Sequence, residues 1–410
     1  MLSIFAISSS LHQGTDVDSP DSFIEGLGVD YSFKGSDFSS YGEDLSIIYV
    51  MTGGTEGIFR DLLPWLLEKT RQTVLLLASD HSNSLAASVE ILSYLRQRRI
   101  RGEILHGKPS YIRSRLEALG KVESARRQLE HTTFGVIGDP SDWLISSEVD
   151  REAIFDKLGI SLQYIPMEEL LEEYSSLRDE VAESWDAVVR DPSLGNPTGL
   201  PSALKESIPG AYRIYKALKG LVSAYGLNGF TIRCFDLLTA VKNTGCLALA
   251  KLNSEGIVAG CEGDIPAMIS MAIGRAVTGV SGFQANPSSI DPESGEIVFS
   301  HCTVPLDMVS GHELDTHFES GIGVAIRGYI KPGPVTIFKV SGDLRRHFIA
   351  EGELLRCEGK PDLCRTQTII RLNNPQQARY FLTEPIGNHH VVVPGHVGAL
   401  MEELVKNFQR

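Results

Sequence analysis

Residues 256–277 read GIVAGCEGDIPAMISMAIGRAV. Gly256–Glu262 is a short run of apolar and small residues, long enough for one buried strand, and from about Ile265 to Val277 the run is an apolar helix. Asp264 stands directly ahead of that helix with Pro266 near its start, the pairing of an N-cap and a first turn. A strand that passes through a tight turn into a helix is the unit of a parallel α/β layer. Glu262 sits in the turn. A carboxylate at the end of a buried strand is costly without a cation, a donor or solvent beside it, and ligands of open α/β sheets gather beyond the carboxyl ends of strands. Glu262 is therefore a candidate functional residue, while Asp264 reads first as a cap and second as a site residue.

Upstream the same texture recurs. Leu45–Met51 (LSIIYVM) reads as a buried strand, Thr52–Glu56 as a glycine-rich turn, and the following helix carries Phe59, Leu62, Leu63, Leu66 and Leu67. Thr73–Ala78 is the next strand and Leu85–Arg98 the next helix, which completes a βαβ unit. The turn Thr52–Gly57 has neither GxGxxG nor the lysine of a P-loop, so it reads as a tight strand-to-helix turn or a loop whose N–H groups meet hydroxyls. A second α/β run starts at Phe134–Gly138, passes a helix-rich polar stretch over 151–225, and continues through expected strands at 229–236 and 246–252. After Gly282 the helices stop. Runs at 296–304, 321–330, 334–341, 347–357 and 366–372 alternate as strands of a small antiparallel barrel or sandwich. Val397, Leu400, Met401, Leu404, Val405 and Phe408 form the stripe of a closing amphipathic helix.

The chain has 410 residues, 42% hydrophobic and 22% charged, so it can bury a sizeable core and hold two or three domains. Its net charge of −14 argues against a surface built for nucleic acid or anionic lipid. The cluster Arg96–Arg101 reads as the solvated end of a helix. No stretch approaches the roughly 20 apolar residues of a membrane span, and the N-terminal residues lack the pattern of a secretory signal, so a cytoplasmic protein is expected. Six cysteines without a CxxC fit reduced thiols better than a disulfide framework or a zinc site.

His301, in FSHCTVP, lies on an alternating strand and shares a face with Phe299 and Thr303. His389 and His390, in IGNHHVVVPGH, are adjacent, so one can look into a cleft while the other packs. One glutamate and two histidines from separate segments suit a divalent ion of the Mn²⁺ type, among several constellations this chemistry allows.

Three segments carry a resemblance to a known family. CEGDIPA (261–267) resembles the motif from which the L-fucose isomerase and L-arabinose isomerase family takes its first metal-binding glutamate. SHCTVP (300–305) is similar to the strand that supplies a histidine in the arabinose branch, and NHHVVVPGH (388–396) to the C-terminal histidine segment. The similarity covers about 245–305 and 386–408. It implies an α/β protein with two Rossmann-like α/β domains (1–131 and 132–281), followed by a small antiparallel β-barrel domain with a closing helix (282–410). It also implies a metal-dependent aldose–ketose isomerase using Mn²⁺ or a similar divalent cation on a small sugar, and a homotrimer or homohexamer with the site at a subunit contact. Carried over by position, Glu262, His301 and His390 match metal ligands; for catalysis the candidates are Glu262 and, as its partner, Asp264. Apart from the resemblance, His317 and Glu319, just ahead of a glycine-rich strand, read as a solvated turn or as sugar contacts at the barrel mouth, and His389 as a further substrate contact. The family's second acid, about two dozen residues after the first, is replaced here by Asn286 or Ala285. Asparagine can hold a metal or a hydroxyl, but it is no base. Either Glu262 works alone, or Asp264, Asp291, Asp307 or Glu319 takes the second role. Three readings follow: the isomerase, another metal-assisted sugar enzyme, and a carbohydrate-binding or regulatory homologue without turnover. The barrel's Lys331, Lys339, Arg345, Arg346 and His347 would suit a phosphate or sulfonate if they converged.

Overall fold

The computed structural model describes residues 2–10, 12, 16–70, 73–177 and 200–406. Part of the helix-rich 151–225 stretch, and Phe408 of the terminal stripe, lie outside the described residues. The chain groups into two compact units, Met1–Ser124 and Ala125–Arg410.

The first unit is a five-stranded parallel sheet. Its strands are β1 (Leu2–Ile7), β2 (Ser32–Gly35), β3 (Leu45–Val50), β4 (Val74–Ala78) and β5 (Gly102–Leu105), in the order β2-β1-β3-β4-β5. β1, β3 and β4 are buried along their whole length, so alternate side chains feed two separate cores. Ile4, Ile47 and Leu75 join one; Phe5, Ile48 and Leu76 join the other. The helices are α1 (Ser22–Gly26), α2 (Glu56–Lys69), α3 (Ser84–Gln97) and α4 (Pro109–Leu129), within which the unit ends. β1, β2 and β5 are not among the strands expected from the sequence: β2 and β5 are four-residue strands with little apolar pattern, and β1, though mostly apolar, has no turn before it to mark its start.

The second unit begins with a four-stranded parallel sheet of β6 (Thr133–Ile137), β7 (Ser161–Ile165), β8 (Gly229–Ile232) and β9 (Val258–Cys261), ordered β7-β6-β8-β9. Its helices are α5 (Arg151–Leu158), α6 (Met167–Ser176), α7 (Ser202–Tyr225), α8 (Cys234–Val241), α9 (Cys246–Ser254) and α10 (Ile265–Thr278). Two sequence expectations are corrected here. The strand expected over 229–236 stops at Ile232, and Cys234 already belongs to α8. The strand expected over 246–252 is helix α9, whose residues Cys246–Ala250 are all buried. A segment that is apolar on every side has no periodicity to separate strand from helix, and only its surroundings decide.

The barrel closes in the order β10-β11-β16-β15-β14-β17. Its strands are β10 (Phe283–Asp291), β11 (Glu296–His301), β14 (Gly333–Val340), β15 (His347–Glu358), β16 (Thr366–Leu372) and β17 (His390–Pro394), all antiparallel to their neighbours. A two-stranded ribbon, β12 (Gly311–Asp315) with β13 (Ala325–Tyr329), interrupts the run. Phe283, Ala285, Ile297, Phe299, Ile337 and Val392 meet in the barrel's core, one inward residue in two. Helix α10 packs against β9 and against β14 and β17, so it is buried over its first ten residues, as its all-apolar sequence requires. Two short turns, a 3₁₀ turn at Pro375–Arg379 and α11 (Tyr380–Thr383), lead into β17, and α12 (Gly398–Lys406) closes the chain. No described helix is long and apolar enough to cross a membrane.

Candidate metal centre and cleft

Glu262 is the residue after β9, held at φ +65°, a conformation that costs a non-glycine residue about 1–3 kcal/mol. Gly263 follows at φ +70°, where a Cβ would meet Pro140 Cα at 2.7 Å. The turn is fixed from below: Ser141 N–H donates to Glu262 O at 3.0 Å. From the barrel, Gln284 on β10 accepts from Cys261 N–H at 2.9 Å and donates to Cys261 O at 3.3 Å. The backbone before Glu262 is thus bonded like a strand edge, by a side chain.

Register then decides which barrel residues face this turn. Ala285 pairs with His390 across β10 and β17, so both point to the same face, and Ala285 is in the barrel core. His390 follows it inward, with Nε2 against Tyr380 Oη at 3.0 Å and its ring 4.8 Å from that of Phe381. His389 and Asn286 have the opposite parity. His389 lies with Nε2 3.5 Å from Glu262 Oε1, and Asn286 lines the same cleft as Glu262. His390, expected as the C-terminal ligand, is therefore not in the cluster; its neighbour His389 is. Of the two residues aligned with the family's second acid, Asn286 reaches the cleft and Ala285 does not.

His301, the last residue of β11, brings Nε2 to 3.9 Å from Glu262 Oε1, and its ring centroid lies 5.4 Å from that of His389. One ligand atom each from Glu262, His301 and His389 fit within 4.8 Å of one another, the spacing a single cation needs. Both rings are oriented from behind. His301 Nδ1 bonds Thr303 Oγ1 at 2.9 Å, and His389 Nδ1 bonds Asp264 Oδ2 at 2.9 Å. A carboxylate on Nδ1 fixes the tautomer that leaves Nε2 free to ligate. Asp264, expected to share in catalysis, is instead wholly buried behind His389. Its Oδ1 caps α10 at Ala267 N–H (2.8 Å) and lies 3.5 Å from the buried Lys339 ammonium.

The donor set suits a divalent cation on grounds the protein supplies. His389 Nε2 and Asn286 Oδ1 are buried with no hydrogen-bond partner among the described residues, and both are ligand-type atoms. Burial opposes ionisation of Glu262, but His301 and His389 outweigh it and hold its carboxyl far below the usual carboxylate range. For Asp264, burial is likewise overcome by Lys339 and His389, which bring it down to about 2. His389 shows the converse: burial lowers its affinity for a proton, Asp264 and Glu262 raise it, and the balance stands at about 9. Without an ion the His389 ring therefore holds a proton between the two carboxylates, and a divalent cation ligated at Nε2 would displace that proton and take over its charge.

The cleft in front of Glu262 has a cavity volume of about 50 Å³ and opens to solvent. Besides Glu262, His301 and Asn286, it is lined by Phe235, His317 and Glu319. Five of the six cysteines, all but Cys357, also face it, although they are scattered through the sequence. Trp143 was not anticipated. Its indole N–H donates to Glu262 Oε2 at 2.7 Å, and its ring meets Phe235 edge-on at 5.0 Å. The loop after β6 carries it, beside the carboxyl end of a strand, which is the signal that could have found it. The barrel cations do not converge on this cleft: Lys339 is behind Asp264, and Lys331 lines a separate cavity of about 340 Å³.

No known family model matches the chain. Among curated proteins it is similar to sulfoquinovose isomerases. It is 30% identical over 207 residues to that of Clostridium sp. (strain MSTE9), a match spanning 49% of this chain and 45% of the relative. It is 25% identical over 286 residues to that of Priestia aryabhattai (67% and 63%), and 23% over 266 residues to that of Alkalicoccus urumqiensis (63% and 59%). The chain therefore spans about half to three-fifths of the length of these relatives, all of which are named as isomerases of one sugar.

Proposed function

We propose that this protein is a divalent-metal-dependent aldose–ketose isomerase of a hexose-like sugar, with sulfoquinovose, a C6-sulfonated aldohexose, as the first candidate substrate. The observation that carries this reading is the Glu262–His301–His389 cluster, whose second histidine is oriented with Nε2 towards Glu262 by Asp264 on its Nδ1. The similarity to sulfoquinovose isomerases supports the reaction class and suggests the substrate. Glu262, His301 and His389 would hold the ion, with Asn286 Oδ1 as a further oxygen donor or a contact to a sugar hydroxyl. Mn²⁺ is proposed from the mixed carboxylate and imidazole set. When bound, such an ion polarises the sugar's carbonyl and hydroxyl oxygens. The chain's own part is to orient the open-chain sugar against Glu262 and to move its protons. Glu262 remains ionised and lines the cleft, with the Trp143 N–H on its Oε2, so it is placed to take a carbon-bound proton. The lining contains no lysine or arginine among the described residues, a lining suited to the neutral polyol end of the sugar.

Asn286 favours one other reading, a sugar-binding homologue without turnover, since a carboxylate is missing where the resembling enzymes have one. The same experiment separates the two. The protein is stripped with EDTA, reloaded with Mn²⁺, and incubated with sulfoquinovose and a panel of neutral aldoses while ketose formation is followed by NMR. We expect about one ion per chain and turnover of at least one sugar, both lost in Glu262→Gln. Sugar binding that is indifferent to EDTA, with no ketose formed, would establish the binding protein instead. The resemblance also suggests a homotrimer or homohexamer, which light scattering of the full chain measures directly.

A further inference from the structure

The isomerase reading, on which this inference rests, needs a second proton carrier, and Asn286 cannot be one. Of the carboxylates that might substitute, Asp264 is sealed behind His389, Asp291 sits in the β10–β11 turn bonded to Ser294, and Asp307 lines the separate cavity near Lys331. The titratable oxygen and nitrogen groups facing the cleft, outside the metal cluster, are Glu319 and His317. Glu319 is exposed to solvent. His317 is half-buried and fixed on three sides. Its Nδ1 bonds Ser320 Oγ at 3.0 Å, and its ring meets Phe235 edge-on at 5.7 Å. Its backbone is closed into a tight loop, with His317 N–H on Ile322 O at 3.0 Å and Gly321 N–H on His317 O at 2.8 Å.

That loop, between β12 and β13, is itself anchored. Thr244 Oγ1 accepts from Val324 N–H and donates to Val324 O, each at 2.9 Å. Gly323 passes so close at φ +68° that a Cβ there would lie 2.5 Å from Thr244 Oγ1. Arg365 Nε holds Thr316 O at 2.7 Å on the loop's other end. A loop pinned at both ends, carrying one oriented imidazole into a cleft, has the build of a positioned proton-transfer group. Burial lowers the proton affinity of His317 and Arg365 adds to this, whereas Glu319 and Glu262 oppose it, with a net lowering; with Nδ1–H donating to Ser320 Oγ, Nε2 keeps a lone pair to accept a proton.

We propose that His317 is the second proton-transfer residue, taking over through Nε2 the hydroxyl proton that a second carboxylate handles elsewhere. Glu262 takes the proton on C2, the C2–H pair forms the C1=C2 bond, and the C1=O1 π pair passes to O1. His317 Nε2 takes the proton from O2 and returns it to O1. The O2 pair then forms C2=O2, and the C1=C2 pair takes the proton from Glu262 onto C1. Glu262 ends ionised and His317 neutral, as they began.

The test uses full-length wild type, His317→Asn and His317→Gln, each loaded with Mn²⁺, on a sugar that wild type converts. We expect both variants to bind Mn²⁺ as wild type does, to keep KM within about 3-fold, and to lose on the order of 10²- to 10⁴-fold in kcat. Added imidazole should restore part of the loss, and the acid limb of the kcat/KM profile should disappear. Unchanged kcat with the limb intact overturns the proposal while the isomerase reading stands. Lost Mn²⁺ binding also overturns it, by making His317 structural. If wild type converts no sugar at all, the isomerase reading fails and this proposal falls with it.

Discussion

At Asp264 one carboxylate serves three neighbours, and none of them is in the cleft. It caps α10, orients His389 and balances Lys339, with both charged side chains about 1% exposed. Asp264→Asn keeps an oxygen for the cap but leaves a buried ammonium without its opposite charge, a change that costs about 3–5 kcal/mol in comparable pairs. It also removes the acceptor that fixes the His389 tautomer, which in known metal sites lowers affinity about 10- to 100-fold. We expect both effects, read by urea denaturation and by Mn²⁺ titration of the variant. His390 makes the opposite prediction. Because its bonds go to Tyr380 Oη and Asn388 O in the barrel, His390→Gln should change Mn²⁺ affinity by less than about 2-fold, and cost about 1–3 kcal/mol of stability. His389→Gln measured alongside should lose the metal; equal losses in the two variants would refute the assignment of His389.

Among the elements, β9 and β10 are joined through Gln284, whose amide substitutes for a strand neighbour at Cys261. Gln284→Leu leaves the buried Cys261 N–H without a partner, for about 1–3 kcal/mol, and frees the residue next to Glu262. Thermal melts should show the loss, and Mn²⁺ titration a weaker site; an unchanged melt would mean that the clamp is idle. The ribbon β12–β13 is held differently, by charge. Asp315 lies 2.8 Å from Arg327 Nη2 and 3.4 Å from Arg365 Nε. Burial opposes its ionisation, yet the bond from Arg327, the Thr316 N–H and the two guanidinium charges bring its carboxyl below the ordinary 3.8. A carboxyl depressed in the folded state contributes stability above its unfolded value and loses it as pH falls through the folded one. The stability gap between wild type and Asp315→Asn should therefore be full near pH 6, begin to shrink below about pH 4, and vanish in stronger acid, as denaturation at a series of pH values can establish.

For the molecule as a whole, all three candidate ligands and their supports belong to the second unit. Metal that binds only the folded site stabilises by RT ln(1 + [L]/Kd), about 2.7 kcal/mol at 100 times Kd. In scanning calorimetry Mn²⁺ should raise the unfolding of the second unit, EDTA should reverse the rise, and Glu262→Gln should show neither. A Mn²⁺ shift that persists in Glu262→Gln would place the ion elsewhere.

The sequence alone determined what is written locally. The β3–α2–β4–α3 unit, the barrel strands β11, β14, β15 and β16 and the capped helix at Asp264 follow from periodicities of two and 3.6 residues and from caps and turns, and each needs only a window of about ten residues; the run expected at 321–330 is a strand of the separate ribbon instead. Glu262 was legible as well, because a carboxylate closing an apolar strand is conspicuous in any context. What only the tertiary structure decided depends on residues far apart in the chain. The register of β17 on β10 sends His390 inward with Ala285 and leaves His389 for the Glu262 cluster and Asn286 for the cleft, a one-residue choice that alternation alone cannot make. Trp143 meets Glu262 across 119 positions of chain, and Asp264 meets His389 across 125. Helix α9 was misread because burial on every side erases its period. Side-chain partners of this kind are set by how the second sheet and the barrel pack through α10 and Gln284, and that packing belongs to no single stretch of the sequence.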